Sequence, residues 1–214
     1  MTINRPGLPG DLPSAEVLWA RWALIAVLEA TEKGEQQRHH RTGVWVDDEG
    51  LHLDDAGCTW WGLASRGEGR YVLFGEDESS GVKWHRPPVD MLAGAPDWLP
   101  HEQLKELVSG YELGCVYWYK DGAWARAPYP GTLRDDGLDC GMSRFTDRAD
   151  LLRTLADEDH AATSAQDAQA LLAHAESRRL TPELLLSLTA GTGGRQQDRP
   201  AMTRALERAG LYRP

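Results

Sequence analysis

The stretch GCVYWYKDGAWARAPYP, Gly114 to Pro130, decides the fold. Asp121-Gly122 stands between two runs that alternate in polarity and reads as a two-residue hairpin turn, because both central positions of the favoured turn take positive φ. That turn predicts a register in which Lys120 faces Ala123, Tyr119 faces Trp124, Trp118 faces Ala125, Tyr117 faces Arg126 and Val116 faces Ala127. Sorting by pleat puts Val116, Trp118 and three alanines on one side, a core pattern of one large ring over small residues. The other side carries Tyr117, Tyr119, Trp124 and Arg126. Residues with a large apolar body and a polar tip are enriched at binding hot spots, and they serve equally as a second core under helices. The sequence leaves both fates open for this row.

Working outward, GVWVDDEGLHLDD from Gly43 also has a period of two and predicts a hairpin turning at Glu49-Gly50. On that register Asp47 faces His52 and Trp45 faces Asp54. Val44, Val46, Leu51 and Leu53 then share a core face, while Trp45, Asp47, His52 and Asp54 share the opposite one. A second strand pair follows around Arg66-Gly-Glu-Gly69, closed by the acidic loop GEDESSG. Upstream, Ser14 is placed to cap a helix in which Leu18, Trp22, Ile25 and Leu28 form an apolar stripe running to about Gly34. Downstream, signals predict a short helical turn near Val89–Leu92 and a helix over His101–Val108. The segment after Tyr129 reads as a loop, with Thr146 capping a helix through Leu155. Three further helices follow: one capped at Ser164, one opening at Pro182 and one over Pro200–Ala209. GTGGRQQDR reads as a flexible joint between the last two.

Hairpin turns in place of helical crossovers argue an α+β fold with an antiparallel sheet, packed by the N-terminal helix and further helices. The expected organisation is an α+β domain over residues 1–158, with 1–13 an irregular lead-in, and a helical region over 159–214.

Composition narrows function. The formal charge is −10, and between residues 44 and 90 ten carboxylates stand against four bases. Nucleic-acid phosphates need clustered Lys and Arg, so direct nucleic-acid binding is not expected, whereas a protein partner with a basic surface is. The longest apolar run, Trp22–Leu28, is far shorter than a membrane span, and MTINRPGLPGDLPS lacks the apolar core of a signal peptide. No membrane association is expected and the location is read as cytoplasmic. Cys58, Cys115 and Cys140 are too dispersed for a disulfide framework or a zinc knuckle.

No reaction motif is present. His39-His40 has no companion ligand at helical spacing, and GTGG at Gly191 lacks the strand and lysine of a phosphate loop. GEDESSG lacks calcium-hand spacing. His52 with Asp47 or Asp54 suggests an Asp-His dyad or half of a metal site, but no nucleophile motif accompanies it. No catalytic residue, metal or cofactor is therefore expected.

The pieces GVWVDDEGLHLDD, YVLFGEDESSG, GAPDWLP and the helix at Asp147 resemble small acidic, Trp-rich intracellular proteins of actinobacteria, some of them similar to immunity proteins of polymorphic toxin systems. The resemblance covers about half the chain and implies a non-enzymatic protein that binds and neutralises a toxin domain. The contact residues expected from the sequence are Trp45, Asp47, Asp54, Glu76 and Asp77, with Tyr117, Tyr119, Trp124 and Arg126. The alternatives are a small hydrolase-like enzyme using His52 with Asp47 or Asp54 in a pocket between sheet and helices, and a structural or regulatory subunit.

Overall fold

A computed structural model describes residues 2–33, 42–156, 162, 164–189 and 199–212. His39-His40 and the GTGGRQQD joint lie outside the described residues. The fold is α+β. Six strands, β1 Gly43–Val46, β2 Leu51–Asp54, β3 Trp60–Ser65, β4 Tyr71–Glu76, β5 Cys115–Lys120 and β6 Ala123–Ala125, form one antiparallel meander in sequence order.

The hairpin at Asp121-Gly122 holds the predicted register: Trp118 pairs with Ala125, Tyr119 with Trp124 and Lys120 with Ala123. Both turn residues have positive φ, 52° and 82°. The first hairpin differs from expectation. Trp45 pairs with His52 and Val46 with Leu51, so the loop is four residues, Asp47 to Gly50, closed by Asp47 N–H to the Gly50 carbonyl. Asp47 accepts from the Glu49 amide at 2.9 Å, an Asx-type turn that competes with the two-residue form. Gly50, at φ +143°, lies so close to the Leu63 carbonyl that a Cβ there would overlap it. The slip moves pairs by an even count, so each side chain keeps its face.

Helix α1, Ala15–Lys33, crosses the sheet face that carries Val44, Leu53, Trp61, Leu73, Tyr117 and Tyr119. The sequence predicts a one-sided stripe, but every residue from Leu18 to Leu28 except the marginal polar Arg21 is a buried hydrophobic, and Arg21 is itself 9% exposed. The reason is a second layer. Helices α5 Ala165–Glu176 and α7 Arg199–Arg208 pack on α1 from the side away from the sheet, and α6 Pro182–Thr189 bridges them. One apolar core thus runs from Ile3 to Leu211, across the boundary expected near residue 158. Arg21 ties the layers: Nε donates to Glu176 at 2.9 Å and Nη1 to the Phe145 and Thr146 carbonyls.

The opposite sheet face is covered over β3 to β5 by the segment between Val82 and Leu113, which places Met91, Leu99 and Leu104 against Val72, Phe74, Val116 and Trp118. This segment includes α2, His101–Ser109, while residues 91–94 form turns in place of the predicted helix near Val89–Leu92. Two more helices, α3 Leu138–Thr146 and α4 Arg148–Leu155, follow the sheet. The cap of α4 is Asp147, not Thr146, and its carboxylate accepts from the Ala149 and Asp150 amides. α3 occupies what reads as loop, because Gly141 disfavours a helix on propensity. Packing overrides it: the Trp61 indole edge presses on the Gly141 backbone, where a Cβ would overlap the ring.

The lead-in is fixed by buried polar groups. Asp136, 1% exposed, accepts from the Gly7 amide at 2.9 Å and the Tyr117 hydroxyl at 2.8 Å. Burial pushes the Asp136 carboxyl and the Tyr117 phenol above their ordinary values. At the end of β4, Asp77 accepts from Thr59 Oγ1 at 2.6 Å and the Ser79 amide at 2.9 Å. Burial alone would raise its pKa, but the hydrogen bonds from Ser79 and Thr59 outweigh that and hold it below the ordinary 3.8.

Two outcomes follow from these contacts. Gly141→Ala forces the Trp61 ring off α3 and is expected to lower unfolding free energy by about 2–3 kcal/mol, read as a lower urea midpoint at unchanged slope. Asp77 binds fewer protons folded than unfolded, so its contribution is present above the unfolded pKa of 3.8 and is lost as pH falls through the folded value. Asp77→Asn is therefore expected to be less stable than the parent at pH 7, with the gap closing as denaturation curves are taken toward pH 3.

Candidate functional site

The structure divides the nine expected contact residues. Tyr117, Tyr119 and Trp124 are sealed on the α1 side at 0%, 5% and 8% exposure. The phenol of Tyr117 joins the Asp136 network, and the Trp124 indole donates to the Pro13 carbonyl at 2.6 Å. Burial raises the Tyr119 phenol pKa. The row is thus a second core, and the expectation of an exposed aromatic sheet face is corrected: α1 and the lead-in cover it. Arg126 is a strut, donating to the Gly7 and Ala127 carbonyls with its guanidinium 3.8 Å from the Tyr129 ring centroid. Asp77 is a buried turn acceptor, and Glu76 is ion-paired with Lys83.

Trp45 and Asp54 lie on the sheet face opposite α1, and Asp47 stands in the loop that follows β1. Asp54 accepts from the Ala56 amide at 2.7 Å and has no bond to His52. His52 instead meets Asp47, Nε2 to Oδ1 at 2.9 Å, although the two are diagonal neighbours and not a ladder pair. The Trp45 ring stacks on the imidazole, centroids 5.1 Å apart and planes at 12°, and its N–H donates to the same carboxylate at 3.3 Å. Burial of Asp47 would raise its pKa, yet the bonds from His52, the Glu49 amide and Trp45 hold it far below the carboxylate range.

His52 and Glu49 line a cleft of about 560 Å³ walled by Trp60, Phe74 and Leu107. Its floor is the ladder from His52 to Gly62, whose missing side chain is partly filled by the Phe74 ring, and Pro100, Gln103 and Leu107 also line it. The size suits a small ligand. Asp47 does not line this cleft but faces a second depression of about 350 Å³ with Arg178 and Arg208. Among the described residues no hydroxyl or thiol is hydrogen-bonded to His52, so an Asp-His dyad is present without an adjacent nucleophile.

The aromatic surface lies elsewhere. All nine tryptophans fall within the described residues, and Trp84 alone among them is exposed, at 64%. It stacks on Tyr111, 57% exposed, with centroids 5.8 Å apart and planes at 18°. Val108, 38% exposed, precedes Tyr111 in the same turn. Lys83 fixes the pair by donating to Glu76 and to the Tyr111 carbonyl at 2.9 Å, with its ammonium 5.8 Å from the Trp84 ring. Around the stack Glu106 and Glu112 are exposed. Reading by strand period misses this pair, since both rings are in loops. The available signal is a lone Trp84 placed before His-Arg-Pro-Pro and outside any apolar pattern.

Among the described residues no helix is long and apolar enough to cross a membrane. Searches of family models, curated proteins and solved structures find no match to this chain.

Proposed function

We propose that this chain is a non-enzymatic binding protein of the inhibitor or immunity type that works in the cytoplasm and engages a protein with a basic surface. The observation that carries the reading is the Trp84–Tyr111 stack, held open to solvent in a chain that shelters its other eight indoles. Exposing two large rings side by side costs hydration free energy that burial under a partner recovers, and Trp and Tyr dominate binding hot spots for that reason. Lys83 holds both loops in place, so little conformational freedom is left to lose on association. The charge of −10 supplies long-range attraction toward a cationic surface. Compared with the surface expected from the sequence, the aromatic contribution moves from the sheet to the loops at 84 and 111.

The test is capture from the cells that make the protein, with the full chain immobilised, followed by affinity measurement on the recovered species. A stoichiometric basic protein is expected, released by salt. Trp84→Ala and Tyr111→Ala leave the core untouched and are expected each to cost about 2 kcal/mol, roughly a 30-fold rise in Kd. Recovery of no stoichiometric protein, or equal affinity in both variants, would overturn the reading.

A further inference from the structure

We propose that Asp47, Glu49 and His52 form a binding site for a divalent first-row transition cation of the zinc or nickel kind. One ligand atom from each of the three lies within 4.8 Å of the others. Metal–nitrogen and metal–oxygen bonds of roughly 2.0–2.2 Å need a somewhat tighter set, so closing this one takes movement of one side chain. Glu49 supplies it: it sits exposed in the hairpin loop, and its carboxylate makes no hydrogen bond among the described residues, whereas its backbone amide holds Asp47.

The donor set is one imidazole and two carboxylates, which suits zinc, nickel, cobalt or manganese in preference to a soft, thiolate-seeking ion. The other two ligands are already oriented. His52 is fixed by its strand and by the face of Trp45, and Asp47 by the Glu49 amide and the Trp45 N–H. Such outer contacts are what orient metal ligands in built sites. In the ion-free arrangement the direct His52–Asp47 bond closes the pair, and a cation takes the place of that shared proton.

Neighbouring charge permits occupation. Of the guanidinium groups that line the two depressions, Arg66, Arg178 and Arg208, none is ion-paired with a member of the trio, and Arg208 meets Asp48 at 3.7 Å. Access is open, since His52 and Glu49 both line the larger cleft, and three protein ligands leave coordination positions for a ligand entering there. The cleft is distinct from the Trp84–Tyr111 surface, so this inference and the binding function stand or fall separately.

The experiment uses the full chain carrying His39→Gln and His40→Gln, which removes the other paired histidines as a background. After chelator dialysis, Zn²⁺ or Ni²⁺ is titrated by calorimetry, and Ni²⁺ or Cu²⁺ by tryptophan fluorescence. One equivalent is expected to bind with Kd below about 0.1 mM, with quenching that Trp45→Phe diminishes. His52→Gln and Glu49→Gln are expected each to weaken binding by at least about tenfold. Glu49→Gln is the decisive variant, because its side chain supports nothing in the fold. No saturable binding, or a Glu49→Gln affinity within about twofold of the parent, leaves the trio a structural Asp-His pair and overturns the proposal.

Discussion

A helix that is apolar on every side has to be covered on every side, and α1 imposes that requirement on the whole chain. The sheet provides one wall, and α5 and α7 provide the other. Trp19 illustrates the coupling: its ring packs on Tyr71 of β4, 5.9 Å between centroids, while its N–H donates at 2.8 Å to the Ala209 carbonyl past the end of α7. The same side chain therefore touches the sheet and the last helix. Trp22 does likewise between β2 and α3, donating to the His52 carbonyl and stacking on Phe145 at 4.8 Å. The C-terminal helices belong to the core of the sheet because the helix between them has no solvent-facing stripe to leave bare.

That arrangement also explains why polar atoms are buried where they are. A lead-in rich in proline forms no regular ladder, so its amides and carbonyls need partners from side chains. Asp11 accepts from Asn4 and Leu8, Asp136 from Gly7, and the Tyr117 hydroxyl and Arg126 both reach the Gly7 carbonyl. The residues that look like a contact surface in sequence are consumed in satisfying this segment. Arg126 reads as a charge that would mark the exposed side of its hairpin. Here it marks a covered side that holds irregular backbone.

Legibility varied with how local the deciding physics was. The Asp121-Gly122 turn was readable because positive φ at two successive positions is a property of those two residues. The loop at Glu49-Gly50 carried the same signal and misled on register, since Asp47 offers its carboxylate to the Glu49 amide and lengthens the turn. The faces survived because the slip was even. α3 was hidden by Gly141, whose helical role depends on an indole contributed from β3. The burial of Tyr117, Tyr119 and Trp124 was undecidable in the same way: both faces of β5 are covered, and alternation of polarity distinguishes a covered face from an open one only where one of them meets water. At the site, His52 was read as facing Asp47 in a ladder pair that does not form and meets it on the diagonal instead, while Trp84 with Tyr111, brought together across 27 residues by Lys83, was not legible.

Four of the tryptophans anchor both ring and N–H. In Trp19, Trp22, Trp45 and Trp124 the N–H finds a carbonyl or carboxylate, in Trp61 the ring closes on a backbone, and the buried N–H of Trp98 has no partner among the described residues. Trp84 is set apart by its exposure, and the Tyr111 ring it stacks on is exposed too. The fold gains little from such a pair beyond the stack, for the cluster beneath α2 already closes on Leu104 and Leu113. Lys83, bonded to Glu76 and to the Tyr111 carbonyl, thus fixes both rings at the surface.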